Sequence, residues 1–419
     1  MRILFKNVEL CFPGSGLHGQ KTDIYLEYGT VKEIGQGIKE VPRTKILQGG
    51  VLAPGFVDLG AFTGEPGFEH KETLRTFSRS ARMGGYTHVF VLPNVDPVTD
   101  DRSAANYLKD DTGSISIQPL GAITRDINGE ELADIYDMHS SGVRAFTDGF
   151  CPIQSIGMMK RALEYVKAFD GVVMNQPYEH SLEPEGKIHE SEISTEMGLK
   201  GIPVLAETTM LKRDIDLLEY TGSKLISHGI SSEQSVVLIQ KARKKGIQIF
   251  ATAPFFNLVH NSKDLQTFNT NYLVNPPLRG EEDRKALLKG LKEGVLDCIV
   301  SGHLPVEDDY KKVEFGEAEM GISSLPFVFP VLYDRLHKSL SLDDLVRLLS
   351  IGPRKILGME PVDIHQGSGV DFVWIDPSLK TQYNEKNYPG KSRNNPFLDK
   401  EWKGKILGVF RKDQYDLYE

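Results

Sequence analysis

Three side chains of acid–base or metal-binding type stand directly after apolar, strand-like runs. They are Asp148 in FTDGF, His228 in SHGISSE and His303 in SGHLPV. A histidine can bind a metal through a ring nitrogen or act as a general base. Because a catalytic zinc takes about three protein ligands, an isolated histidine is more often a hydrogen-bonded structural residue. We interpret both histidines in that way, keep His303 and Asp148 as catalytic candidates, and leave open a structural pairing of Asp148 with either histidine.

Other reactive side chains lack the neighbours that their chemistry would need. Cys151 follows the fourth strand-like run, but no adjacent base is visible in the sequence, so we interpret it as a small hydrophobic residue. His70, His180 and His189 lie in segments that follow strand-like runs. Their spacing matches no metal motif, so we expect surface histidines, with a replacement metal site as the alternative.

Composition excludes several classes of protein. The formal net charge is −9, and no basic stripe is present to neutralise phosphates, so we expect no nucleic-acid partner. No run approaches the roughly 18 apolar residues of a membrane span, and MRILFKNVELCF is too interrupted for a signal peptide. The cysteines at 11, 151 and 298 are odd in number and widely spaced, which is typical of reduced thiols. We therefore expect a cytoplasmic protein.

The candidate residues belong to a chain in which strands and helices alternate. Short apolar runs such as GFVDLGAF, THVFVLPN, KLISHG and IQIFATAP are separated by helical patterns that end in glycine. Eight such strands predict a (β/α)8 barrel over residues 53–355. Residues 1–52 and 356–419 contain further strand-like runs. We predict that the two chain ends together build a small composite β-domain.

Eight segments carry a resemblance to a known family, in the family's order and spacing. They are PGFVDL, EPGFEHKE, GGYTHVFVLPNVDPV, GLKGIPVLAE, RDIDLLEYTG, NPPLRGEEDRKALLKGLKEG, MGISSL and NNPFL. Nearly end to end, the chain resembles the dihydroorotases of the amidohydrolase superfamily. The resemblance implies one or two zinc ions at the C-terminal ends of the barrel strands, where they polarise water into hydroxide that attacks a cyclic amide.

Most of the metal-ligand positions implied by the resemblance are occupied by residues that cannot bind zinc. The His-x-His motif of the first barrel strand falls on Gly60 and Phe62, and the arginine that grips the substrate carboxylate falls on Gly64. The ligand histidine of the fifth strand is Gln176, a poor zinc ligand. Of the histidine ligands, His228 alone is retained.

The remaining motifs are altered in the same direction. FTDGF has Gly149 in place of the second acid, and APFFN has Phe255 and Phe256 in place of two histidines. In SGHLPV, Gly302 replaces the aspartate that serves the family as general acid/base, and Val306 replaces the last histidine. A barrel that lost its cation but kept the carboxylates would bury negative charge without a partner, at a high energetic cost. The loss of the acids together with the metal ligands avoids that cost.

Two asparagines match substrate-binding positions of the family. They are Asn94 in LPNV and Asn275 in NPPLR. They either preserve a pocket for a ring that bears a carboxylate, or serve as ordinary turn residues before proline.

We hypothesise a catalytically silent member of the family that needs no cofactor. The resemblance implies a structural or regulatory role in pyrimidine synthesis, with aspartate carbamoyltransferase or another enzyme of that pathway as partner and a homodimer as the assembly. The alternative is an active hydrolase of dihydroorotate, hydantoin or allantoin rings, with zinc held by loop histidines together with His228 and His303. A module that binds such a ring without hydrolysing it is a third hypothesis, weakened by Gly64.

Overall fold

The computed structural model describes residues 1–111 and 113–418. The strands, in chain order, are β1 (Arg2–Leu10), β2 (Lys21–Glu27), β3 (Thr30–Gly35), β4 (Lys45–Gln48), β5 (Val51–Pro54), β6 (Phe56–Ala61), β7 (Tyr86–Val91), β8 (Ser116–Pro119), β9 (Val173–Asn175), β10 (Ile188–His189), β11 (Gly201–Ile202), β12 (Leu225–Ser227), β13 (Ile249–Pro254), β14 (Cys298–Val300), β15 (Asp371–Gln382), β16 (Glu401–Arg411) and β17 (Gln414–Leu417).

Helices separate the inner strands. They are α1 (Leu74–Met83), α2 (Arg102–Leu108), α3 (Ile135–Ser140), α4 (Ile156–Lys167), α5 (Glu192–Glu196), α6 (Val204–Thr221), α7 (Glu233–Lys244), α8 (Phe255–Val259), α9 (Glu281–Lys292), α10 (Asp308–Lys311), α11 (Val328–Leu336), α12 (Leu342–Val346) and α13 (Gly352–Ile356). Side-chain caps fix several starts: Thr73 caps α1 and Ser232 caps α7. No helix within the described residues has the length and apolar character needed to cross a membrane.

Parallel strands form the barrel. Strands β6, β7 and β8 pair in that order, and so do β9, β12, β13 and β14. Phe146 takes the place between the two groups through parallel bridges to Gly121 and Val173. The amide of Ser301, just after β14, donates to the Asp58 carboxylate of β6 at 2.7 Å. The predicted (β/α)8 barrel is confirmed by this arrangement.

Strands from both chain ends form one mixed sheet beside the barrel. Its order is β17-β16-β15-β5-β1-β2-β3, with β4 also paired to β1. An aromatic cluster supports it, since the Phe5 ring centroid lies 5.6 Å from Trp374 and 5.1 Å from Phe410 in edge-to-face packing. The composite β-domain therefore has the predicted origin. The exact division at 52/53 and 355/356 stays a prediction, because β5 runs on to Pro54 and α13 ends at Ile356.

Candidate functional site

A small cavity lies at the carboxyl ends of the barrel strands. Its volume is about 40 Å³, which is room for about three water molecules. Its polar lining consists of Thr147, Gln176, His228, Asn257, Asn275, Ser301 and His303. Within the described part of the chain, no Asp, Glu, Lys or Arg side chain lines it. The cavity is therefore neutral and narrow.

His228 lies directly over Gly60 at the end of β6. A β-carbon at position 60 would stand 2.8 Å from Cε1 and 2.9 Å from Nε2 of His228, closer than packed carbon atoms allow. Gly60 also has a φ of +90°, which disfavours any other residue. The His228 Nδ1 atom is 3.2 Å from Thr252 Oγ1, and burial lowers the pKa of His228 to about 4. The imidazole is thus neutral and occupies the space of the side chain that Gly60 lacks.

Two aromatic rings, Phe150 and Phe256, belong to the cavity wall, and Phe62 packs behind it. Phe62 is 4% exposed, and its ring centroid lies 5.9 Å from both Phe68 and Phe150. Phe255 and Phe256 begin α8, where both are buried, and Phe256 borders the cavity while Phe255 lies outside its lining. These apolar contacts stabilise the barrel mouth where the family's histidines would lie.

Gln176 and Asn275 are bound to each other. Gln176 Nε2 donates to Asn275 Oδ1 at 3.0 Å, across the mouth of the cavity. Nearby, Asn257 Nδ2 donates to the Pro277 carbonyl at 2.9 Å, while its buried Oδ1 has no partner among the described residues. One donor of Gln176 and one acceptor of Asn275 are therefore paired, and a ligand would have to compete for these two atoms. Asn257 was not identified from the sequence, because nothing in FFNLV distinguishes it from a helix residue.

Asp148 pairs with neither histidine. Its Oδ1 accepts hydrogen bonds from the amides of Ile123 at 2.8 Å and Thr124 at 3.0 Å, and its Oδ2 accepts from Thr124 Oγ1. Desolvation raises its pKa in spite of these bonds. The pairing left open in the sequence is wrong, because three donors from one neighbouring loop already satisfy the carboxylate. Asp148 holds that loop to the end of the fourth barrel strand, which contains Phe146.

Asn94 lies where the side chain of a second acid would lie. Its Nδ2 donates to the Asp148 carbonyl at 3.1 Å. A β-carbon at Gly149 would overlap its Oδ1 at 1.7 Å. Asn94 does not line the cavity, and its amide holds the backbone that follows Phe146 in the fourth barrel strand. Its role as a substrate-binding residue stays a prediction.

The tautomer of His303 is fixed by a backbone amide. Ser324 N–H donates to His303 Nδ1 at 3.0 Å, and burial lowers the pKa of His303 to about 3. The neutral ring must then carry its proton on Nε2, which is buried without a hydrogen-bond partner among the described residues. Neither ring nitrogen has a free lone pair, so His303 in this state can act neither as a base nor as a metal ligand.

The other altered positions differ in the space around them. A β-carbon at Gly64 would stand 2.5 Å from the Glu72 carbonyl oxygen, so no arginine fits there without movement. At Gly302 the nearest atom to a β-carbon is Pro254 Cβ, at 3.9 Å. A carboxylate at position 302 is therefore not excluded by packing, whereas a side chain at position 64 is.

The remaining candidates are scattered. Cys151 is exposed rather than packed as a small hydrophobic residue, and partial burial and Asp148 raise the pKa of its thiol, the opposite of activation. His70 and His180 are exposed, as expected of surface histidines. His189 is not a free surface residue, because the buried Arg279 lies 3.0 Å from its Nδ1. None of the loop histidines lines the cavity with His228 and His303.

The donor set at the barrel mouth does not fit a zinc ion. A catalytic zinc takes three protein ligands with free lone pairs. The lining side chains offer at most one available imidazole nitrogen, on His228, together with neutral amides and hydroxyls. No mechanistic step through a metal can be derived from these residues.

Comparison with known proteins identifies the family of this chain. Residues 49–235 match a family model described as Dihydro-orotase-like. A dihydroorotase of Syntrophus aciditrophicus (strain SB) is 35% identical over 416 residues, which cover 97% of each chain. A dihydroorotase of Carboxydothermus hydrogenoformans is 36% identical over 410 residues, covering 96% of this chain and 95% of the relative.

Solved structures agree on the fold. L-hydantoinase (dihydropyrimidinase) from Arthrobacter aurescens superposes with a TM-score of 0.85 at 20% identity, covering 100% of this chain and 97% of that one. Dihydropyrimidinase from Brevibacillus agri NCHU1002 gives 0.81 at 19% identity, covering 99% and 95%. The resemblance read from the sequence motifs is confirmed by the curated relatives, and this chain belongs to the dihydroorotase family.

Proposed function

We propose that this family member works in de novo pyrimidine biosynthesis in the cytoplasm without hydrolysing cyclic amides itself. Its role is then that of a structural or regulatory homologue, with aspartate carbamoyltransferase or another enzyme of the pathway as its partner. The observation that carries the proposal is the packing of His228 over Gly60. The one retained ligand occupies the space that its missing neighbour would need.

Electrostatics support the same proposal. A divalent cation buried among neutral amides, hydroxyls and phenyl rings would lack the negative charge that offsets its desolvation. The lining around His228 contains no carboxylate within the described residues. Conversely, a site that kept its carboxylates without a cation would be destabilised by repulsion between the buried negative charges. The neutral cavity avoids both costs.

The described residues of the cavity also lack a strong base that could remove a proton from water. Hydroxide at neutral pH requires a metal that lowers the pKa of water from about 15.7 to about 7. Without one, a base would have to remove the proton directly, and His303 has no free lone pair for this. Asp148 is held by Ile123 and Thr124 and does not line the cavity. His228 also lines the cavity, but burial lowers its pKa to about 4, so it is a weak base toward water at neutral pH. The described lining residues therefore favour neither route to hydroxide.

An active hydrolase remains the second candidate, because the curated relatives are named dihydroorotase. It would need the mouth of the barrel to open and the residues that line it to be joined by new ligands. Metal content and dihydroorotate turnover, measured on the same preparation, separate the two candidates. Zinc in the barrel together with turnover would replace the silent-barrel proposal by this one.

The partner is tested separately from the chemistry. The full chain would be mixed with aspartate carbamoyltransferase from the same organism and analysed by size-exclusion chromatography with light scattering, with each protein alone as control. We expect a homodimer alone and a larger complex of fixed stoichiometry in the mixture. Two independent peaks at tens of micromolar would refute this partner and leave the silent-barrel proposal standing.

A further inference from the structure

A cysteine, a histidine and an aspartate meet where the composite sheet contacts the barrel. Cys11 follows β1, and His18 lies in the turn that leads to β2. Asp343 lies in the first turn of α12, on the barrel side. Cys11 and His18 precede Asp343 by 332 and 325 residues, so only the fold brings the three side chains together. None of the three lines the cavity at the strand ends.

Cys11 and His18 both contact the carboxylate of Asp343. Cys11 Sγ lies 3.2 Å from Asp343 Oδ1, and His18 Nε2 lies 3.1 Å from Asp343 Oδ2. One ligand atom from each residue falls within 4.8 Å of the other two. Ligand atoms of a tetrahedral zinc, with bonds of about 2.0–2.3 Å, are roughly 3.3–3.8 Å apart, so the three side chains need to draw together only where their spacing exceeds this range. Among residues 1–111 and 113–418, this is the only group of three such side chains with that spacing.

We propose that Cys11, His18 and Asp343 bind a zinc ion, with water as the fourth ligand. Thiolate, imidazole and carboxylate together favour zinc over magnesium or calcium, which prefer oxygen ligands alone. Cys11 is buried, whereas the side chains of His18 and Asp343 are 33% and 54% exposed, so water reaches the side opposite the thiol. The inference concerns a site outside the cavity and does not depend on the proposed function.

Binding of zinc would release the thiol proton of Cys11. Without an ion, burial and the neighbouring carboxylate raise the pKa of the Cys11 thiol, which donates its proton to Asp343. On binding, the thiol proton passes to solvent and the sulfur lone pair forms the bond to zinc. One thiolate and one carboxylate then balance the two charges of the ion. The ion would link the turn after β1 to α12 and stabilise the contact between sheet and barrel.

Cobalt(II) is the most informative probe. It occupies zinc sites, and a thiolate ligand gives a near-ultraviolet charge-transfer band that imidazole and carboxylate ligands do not give. We would titrate the metal-free full chain with Co²⁺ and compare Cys11→Ser with Cys151→Ser. Cys151 is the matched control, because it is the exposed cysteine outside this group. We expect one Co²⁺ per chain with the band in the wild type and Cys151→Ser, and no band in Cys11→Ser.

A second variant keeps the test independent of folding defects in the first. Asp343→Asn preserves the shape of the side chain and removes its charge, so we expect Co²⁺ affinity to fall about 100-fold or more, since even outer partners of a metal ligand contribute 10–100-fold. Zinc should raise the Tm of the wild type and of Cys151→Ser only. Absence of the charge-transfer band at stoichiometric Co²⁺, or its persistence in Cys11→Ser, would overturn the proposal.

Discussion

The imidazole of His228 lies against the backbone of Gly60, so a side chain at position 60 requires that ring to move. A β-carbon at position 60 would stand 2.8 Å from the ring of His228. Two residues that hold one metal ion must both point toward it. The ring of His228 lies where a side chain at position 60 would begin, so a histidine at position 60 requires repacking as well as substitution.

Gly60→His should therefore be strongly destabilising. A positive φ and an overlapping β-carbon each cost on the order of 1–3 kcal/mol in the free energy of unfolding. Gly302→Asn is the matched control, because Gly302 has a φ of +58° and open space around its β-carbon position. Asparagine tolerates that backbone conformation. Urea unfolding of the two variants would contradict this account if both lost the same stability.

Replacing His303 should change how the free energy of unfolding depends on pH below 6.5. Its pKa is lowered from 6.5 to about 3, so the unfolded chain binds a proton that the folded chain refuses. The stabilisation is present above pH 6.5 and is lost as pH falls toward 3. His303→Asn retains an acceptor for the Ser324 amide and removes the titration, so its stability should fall less steeply between pH 6.5 and 4.

His303→Leu isolates the hydrogen bond. It leaves the Ser324 amide without its acceptor, which should cost about 1–3 kcal/mol at pH 7 relative to His303→Asn. Equal stability of the two variants in thermal unfolding at pH 7 would mean that the amide finds another partner.

Asp58 should give the opposite pH dependence. Complete burial raises its pKa from 3.8 to about 6, although Ser301 donates two hydrogen bonds to it. The folded chain holds the proton more tightly, so the contribution to stability is present below pH 3.8 and is lost as pH rises through 6. Asp58→Asn should therefore gain stability relative to the wild type as pH rises, by up to about 3 kcal/mol. A difference in unfolding free energy that stayed constant from pH 4 to 8 would contradict this assignment.

Much of the architecture could be predicted from the sequence. Apolar runs such as IQIFATAP alternate with capped helices, and this periodicity is local, so the barrel was accessible from the chain alone. The strand-like runs at both ends also predicted the composite sheet. The resemblance placed Gly60, Phe62 and Gln176 at ligand positions.

The details of the site could not be predicted in that way. Partners of the charged groups come from distant segments: Asp148 binds Thr124, and His303 is oriented by the Ser324 amide. The approach of His18 to Asp343 spans 325 residues. Such contacts depend on packing between elements, and no local pattern encodes them.

The most direct test of the central claim is metal content and dihydroorotate hydrolysis measured together on Cys11→Ser, after incubation with zinc. This variant removes the thiolate of the site at the sheet–barrel contact, so any tightly bound zinc would belong to the barrel. We predict zinc far below one ion per chain and no turnover above the rate without protein. One zinc per chain with turnover in this variant would contradict a silent barrel.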